Sequence, residues 1–162
     1  LENRWPEAVR KLRSLQADYP RTTAGMLAPL EIAGYYEKNG DTDARRSALL
    51  EAAAAYERLA EELARDPQTR DLVRSALDFL VEATEKLGDY DRAVRALLTR
   101  ADGFPGEPRS PLAYLRAAAL QEVQLHDRAG AIATLAKLTQ RYPALPIAAH
   151  ARERIGLLRG PS

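Results

Sequence analysis

The chain has 162 residues, a formal net charge of +1 and no cysteine. This leaves out thiolate zinc sites, disulfides and a thiol nucleophile, and argues against a phosphate-seeking protein. Hydrophobic residues make up 46%, aromatics only 6% and charged residues 29%, the balance of a helical surface over an Ala/Leu core, and no apolar run approaches the roughly 20 residues of a membrane span.

Residues 5–19 read as an amphipathic helix, with Ala8, Val9, Leu12, Leu15 and Tyr19 at helical spacing. Pro6 suits its first turn and Pro20 stops it. Thr22 or Thr23 is placed to cap a second helix that ends at Asn39–Gly40. Pro29 falls near its first turn or at a kink, and Ile32, Ala33, Tyr35 and Tyr36 are its packing residues. Residues 42–65 hold no Gly or Pro and predict one long helix.

A fourth helix spans Asp71 to Leu87, and Gly88–Asp89–Tyr90–Asp91 forms the turn into a fifth, Ala93 to Phe104. Residues 105–111 read as a loop, with Ser110 as the cap of a helix from Leu112 to Leu125 and Pro111 at its first position. After a turn at His126–Asp127, helices are predicted from Ala129 to Tyr142 and, beyond Pro143 and Pro146, from Ala148 to Arg159. No segment alternates like a strand, so the expectation is all-α, about eight helices in up-and-down order.

One pattern recurs on alternate helices: an alanine, a leucine four residues on, and a proline twelve residues after the alanine. It is carried by Ala8–Leu12–Pro20, Ala55–Leu59–Pro67, Ala93–Leu97–Pro105 and Ala131–Leu135–Pro143. The alanines are 47, 38 and 38 residues apart, and the long third helix accounts for the first interval. A period of this size predicts stacked helical hairpins. Residues 1–89 sum to −4 and residues 90–162 to +5, a polarity that could steer a charged partner or belong only to solvated faces.

These hairpins resemble the tetratricopeptide repeat. The best match is Leu77–x2–Leu80–Val81–x6–Gly88–Asp89–Tyr90–Asp91–x–Ala93–x3–Leu97–x7–Pro105. The pairs Ile32–Ala33, Leu80–Val81, Ala118–Ala119 and Ile155–Gly156 match the first-helix position where the family keeps a small residue for close approach. The resemblance implies a right-handed solenoid of antiparallel helical hairpins over residues 1–162, and a partner segment bound in the concave groove lined by first helices. The groove residues would be Leu27, Leu30, Gly34, Glu37 and Lys38, then Ser75, Asp78, Glu82, Glu85 and Lys86, then Ala113, Arg116, Leu120, Val123 and Gln124. Some members of the family clamp a C-terminal carboxylate with Lys, Asn and Arg at such positions. Leu30, Asp78, Glu82 and Leu120 stand there instead, so that activity is not implied.

The joints Tyr19–Pro20 and Tyr142–Pro143 are similar to those of bacterial cell-envelope repeat proteins, which points to the bacterial periplasm or cell envelope. The repeat frame lacks a first helix before residue 5 and a second after residue 159, and the chain opens on Leu1. The expectation is therefore a piece of a longer array, or a chain that self-associates through its N-terminal helix.

No constellation for catalysis stands out, and neither an enzyme nor a cofactor is expected. His126 and His150 lie too far apart for a helical metal pair and read as surface residues. No serine sits in a nucleophile elbow, and no Gly-rich phosphate loop is present. Glu61–Glu62 reads as a solvated face. Arg92, Arg95, Arg100 and Arg109 read as turn and surface arginines, not a nucleic-acid patch. Trp5 packs against a helix or anchors an interface. The functional expectation is a non-enzymatic scaffold for a protein or peptide partner, with an architectural spacer or oligomerisation segment as the alternative.

Overall fold

The structure, a computed structural model, describes residues 5–160; the packing role expected for the Trp5 side chain lies outside them. Among the described residues all regular structure is helical: α1 (Trp5–Asp18), α2 (Thr23–Lys38), α3 (Thr42–Leu63), α4 (Arg70–Leu87), α5 (Tyr90–Gly103), α6 (Ser110–Val123), α7 (Arg128–Arg141) and α8 (Pro146–Arg159), with a 3-10 turn at Pro67–Thr69. The helices fall into two compact units, residues 1–88 and 89–162. Within each unit every helix packs on its neighbour in sequence, and in the first unit α2 also meets α4.

The four prolines of the repeat pattern share one geometry. Each is the second residue of a turn closed by an i to i+3 hydrogen bond: Thr22 N to Tyr19 O (3.1 Å), Thr69 N to Asp66 O (3.1 Å), Glu107 N to Phe104 O (3.0 Å) and Leu145 N to Tyr142 O (3.1 Å). Proline suits this position because its ring presets φ, and it cannot continue the helix before it. The residues ahead of two of these prolines have nearly the same backbone, φ −128° and ψ 56° at Phe104, φ −130° and ψ 52° at Tyr142. Hydroxyls reinforce three of the turns: Thr22 donates to the Tyr19 carbonyl, Thr69 to that of Asp66 and Ser110 to that of Phe104.

The turns into α3, α5 and α7 follow a second recipe. A residue with positive φ (Gly40 +70°, Gly88 +73°, His126 +53°) precedes an aspartate that caps the next helix. Asp41 accepts from Ala44 N at 2.9 Å, Asp89 from Arg92 N at 3.2 Å and Asp127 from Gly130 N at 2.8 Å. Each cap satisfies one of the amides that a helix start leaves without a partner. His126 therefore does the work of the Gly in the other two turns while carrying a Cβ.

Burial of the repeat alanines differs between the units. Ala93 and Ala131 are fully enclosed, and Leu97 and Leu135 are buried with them. Ala8 and Ala55 are half-buried. In α3 the enclosed residues are Leu49, Ala52, Ala53, Tyr56 and Leu63. For Ala55 the helix lengths differ: it lies deep inside the 22-residue α3, whose extra turns come before it, whereas Ala93 and Ala131 stand at the fourth position of 14-residue helices. Ala8 holds that fourth position in α1 and is half-buried all the same, so helix length does not account for it. The small-residue rule holds for Ala33 and Val81, which are buried, but Ala119 and Gly156 face outward. In α6 the buried pair is Ala117 and Ala118, one residue earlier.

Two further expectations are corrected. Ser110 is the first residue of α6 and not its cap, because its hydroxyl turns inward to the Phe104 carbonyl. Arg100 is buried and donates Nη1 to Ser110 Oγ at 3.1 Å, so it is no surface arginine. Helices α5, α7 and α8 also begin one to three residues earlier than expected, since Asp89, Asp127 and Leu145 are the residues just before them and Pro146 takes a first-turn place.

In the first unit, Thr22 Oγ1 accepts from Gly25 N at 3.1 Å and so caps α2. A Cβ at Gly25 would stand 1.9 Å from the Tyr19 carbonyl oxygen. Two backbones meet there with no room for a methyl group. Pro29 lies inside α2, where its missing amide leaves the Gly25 carbonyl without its i+4 donor. The Tyr56 hydroxyl donates to the neighbouring Met26 carbonyl at 2.6 Å, and its ring stacks on Phe79 at 5.6 Å. Burial pushes the Tyr56 hydroxyl well above the usual tyrosine range, so it stays a donor.

Gly25→Ala is expected to cost about 3 kcal/mol, because backbone atoms have no rotamer to yield; urea unfolding followed by circular dichroism measures it. His126→Gly is expected to add roughly 0.5–1 kcal/mol in the same assay, the relief of left-handed strain less the entropy glycine brings to the unfolded chain.

Candidate binding site

The residues expected to line a groove divide between the units. In the first, α2 carries Leu27, Leu30, Glu37 and Lys38, and its neighbour α4 carries Ser75, Asp78, Glu82, Glu85 and Lys86. Leu27 is 38% exposed, but Leu30 is only 6% exposed and belongs to the core. Glu37 leans to Arg45 of α3, at 3.4 Å. Lys38 is exposed, and Glu82 and Lys86 form a surface i,i+4 pair at 3.2 Å. Ser75 turns back on its own helix and donates to the Asp71 carbonyl, while Asp78 and Glu85 are half-buried.

In the second unit α6 carries Arg116, Leu120 and Gln124. Arg116 and Gln124 are exposed and Leu120 is half-buried. Val123 is 60% exposed, whereas Ala113 is buried. Glu122 of α6 receives a bidentate pair of hydrogen bonds from Arg154 of α8, which ties these two helices together.

The second unit also holds a polar cluster that the sequence did not single out. Asp102 of α5 accepts hydrogen bonds from the Tyr114 hydroxyl of α6, from Lys137 Nζ of α7 at 2.6 Å and from Arg141 Nη1 of α7 at 2.8 Å. Arg141 also reaches the Tyr114 oxygen at 2.8 Å. Tyr142 closes the group, its hydroxyl donating to the Pro105 carbonyl at 2.9 Å. Burial would raise the Asp102 carboxyl, but the hydrogen bonds from Lys137 and Tyr114 and the charges of Lys137 and Arg141 outweigh it and hold the group below the usual aspartate range. Burial, and then the bond to Asp102, pushes the Tyr114 hydroxyl up to about 12. Each group is used by a neighbour on another helix, so the cluster clamps α5, α6 and α7 together. A second buried bond, Thr134 Oγ1 to Gln121 Oε1 at 2.7 Å, adds to the α6–α7 contact.

A cleft in the first unit was likewise not foreseen. It follows the seam between α1 and α3, with α2 as its floor, in two adjoining lobes of about 340 Å³ each. Both lobes are lined by Arg13 and Gln16 of α1, Pro29 of α2, and Ala55 and Arg58 of α3. Glu62 borders one lobe and Glu51 the other. The space exists because alanines on α3 face a proline and Gly25 on α2, and these leave little side-chain volume to fill it. The weak signal available in sequence was the run Ala52–Ala55. His126 and His150 are exposed, and no group of three metal-ligating side chains forms among the described residues. No helix among these residues is long and apolar enough to cross a membrane.

No protein-family model matches the chain, and no curated protein matches it either.

The lowered Asp102 carboxyl gives a pH prediction. A depressed folded pKa contributes stability above the unfolded value of roughly 3.9 and loses it as pH falls through the folded value. Urea midpoints recorded from about pH 5 to pH 2 should therefore fall, and Asp102→Asn should flatten that part of the profile while lowering the midpoint at neutral pH.

Proposed function

We propose that the chain is a non-enzymatic protein–protein interaction module, a right-handed solenoid of tetratricopeptide-like hairpins that takes a partner segment on the faces of its first helices. One observation carries this reading. On α2 and α4 of the first unit, Leu27, Lys38, Glu82 and Lys86 are all exposed, a mix of apolar and charged side chains suited to an extended or helical segment. In the second unit the corresponding residues are Arg116, Leu120 and Gln124 on α6, and Leu30 drops out because it is covered. The Asp102 cluster is committed to holding helices together, which supports a structural over a catalytic role for those groups.

Photo-crosslinking side chains at Leu27 and Glu82, with Arg46 on the exposed side of α3 as reference, provide the test in native extract. Adducts to one partner are expected at Leu27 and Glu82 and not at Arg46, and the double reversal Lys38→Glu, Glu82→Lys should reduce them about tenfold. Equal labelling at all three positions would count against the groove. Adducts to a second copy of the chain would favour the oligomerisation segment instead.

A further inference from the structure

The seam between α1 and α3 lies on the other side of α2 from the face just discussed: Gly25, Pro29 and Ile32 share one side of that helix, Leu27, Gly34 and Lys38 the opposite one. The seam therefore offers a separate surface, and what it could hold follows from its lining.

Small apolar side chains, Ala55 and Pro29, border both lobes, and so do Arg13, Gln16 and Arg58, while Glu62 borders one lobe and Glu51 the other. Two cations rise from this lining. Arg13 is 3.8 Å from Glu51, across from α1 to α3. Arg58 lines both lobes and makes no ion pair with any described residue, although Glu62 stands one turn further along the same helix. The Arg58 guanidinium, at the border of this mixed apolar and polar cleft, has five donors to offer and none of them in an ion pair with a described carboxylate. The complementary ligand group is a carboxylate, which accepts a guanidinium in bidentate fashion. Each lobe is near the lower end of the volume of a ligand pocket, the room for an apolar side chain to either side of that carboxylate.

We propose that this seam binds an extended peptide segment bearing an acidic side chain between apolar neighbours, with the carboxylate on Arg58 and the flanking side chains in the two lobes. Gln16, which borders both lobes, is within the lining to hydrogen-bond the peptide backbone. The binding surface is independent of the α2 and α4 face, so the two can fail separately.

The test uses the full chain and a synthetic array of end-blocked hexapeptides of Ala, Leu and Pro, each with Glu or Asp near its centre and an otherwise identical partner with Gln or Asn. The acidic member of each retained pair should bind at least about tenfold more tightly than its amide counterpart, the scale of one charge-assisted bidentate contact. Arg58→Gln should abolish that preference, and Ala55→Leu should reduce binding of both members by filling the cleft. The double reversal Lys38→Glu, Glu82→Lys should leave the array pattern unchanged. Circular dichroism checks that each variant folds; if Ala55→Leu does not, Arg58→Gln, on an exposed position, still decides the matter. Retention of acidic and amide peptides alike, an acidic preference that survives Arg58→Gln, or no retention at all would overturn the proposal.

Discussion

The structure depends on a turn whose central proline forbids the helix to go on. At Pro20, Pro67, Pro105 and Pro143 the chain leaves a helix, closes an i to i+3 hydrogen bond across the proline and enters the next element a few residues later. The residue ahead of the proline varies between tyrosine, phenylalanine and aspartate, and its ψ differs too, 115° at Asp66 against 56° at Phe104, so what the copies share is the hydrogen bond across the proline. A second device, a left-handed residue followed by a capping aspartate, begins α3, α5 and α7. Together they determine which side of each helix meets its neighbour. The repeat is thus written in its turns, and the packing between helices is free to differ from copy to copy.

The difference is plain in how the two units spend their polar groups. The first unit encloses Tyr56 with its hydroxyl on the Met26 carbonyl, an acceptor near the proline interruption of α2. The second encloses Tyr114 and links it to a carboxylate and two cations from flanking helices. Truncating either ring would lose the burial of a large side chain, roughly 3–5 kcal/mol, but only the second tyrosine is embedded in ionic partners. A cluster of Asp, Tyr, Lys and Arg resembles chemistry when viewed as a set of residue types. Its geometry shows three helices joined at one carboxylate.

Much of this was readable from residues alone, for a physical reason. Prolines, glycines and aspartates act on the backbone within three or four residues, so the helices, their order and a cap at Thr22 or Thr23 could be read locally; Thr22 takes that place. The alanine pattern was readable in spacing but not in burial: Ala93 and Ala131 are enclosed, while the longer α3 presents Ala52 and Ala53 to the core and leaves Ala55 at a seam. The family resemblance places Leu30 in a groove, yet tertiary packing covers it. Asp102 and Arg141, or Arg13 and Arg58, are brought together from helices far apart in sequence, and no local pattern marks such pairs. Arg100 was read as a surface cation because nothing near it in sequence announces that Ser110 will meet it inside.

The contact of Gly25 with the Tyr19 carbonyl has an evolutionary corollary. Where main chain touches main chain, only the residue lacking a side chain is admissible, so that joint admits almost no drift. The same glycine borders one lobe of the adjoining seam, but exposed side chains of that lining, such as Arg58, can change without touching the joint. Descendants of this sequence could therefore alter the exposed border of the seam, one substitution at a time, while inheriting the same glycine unchanged.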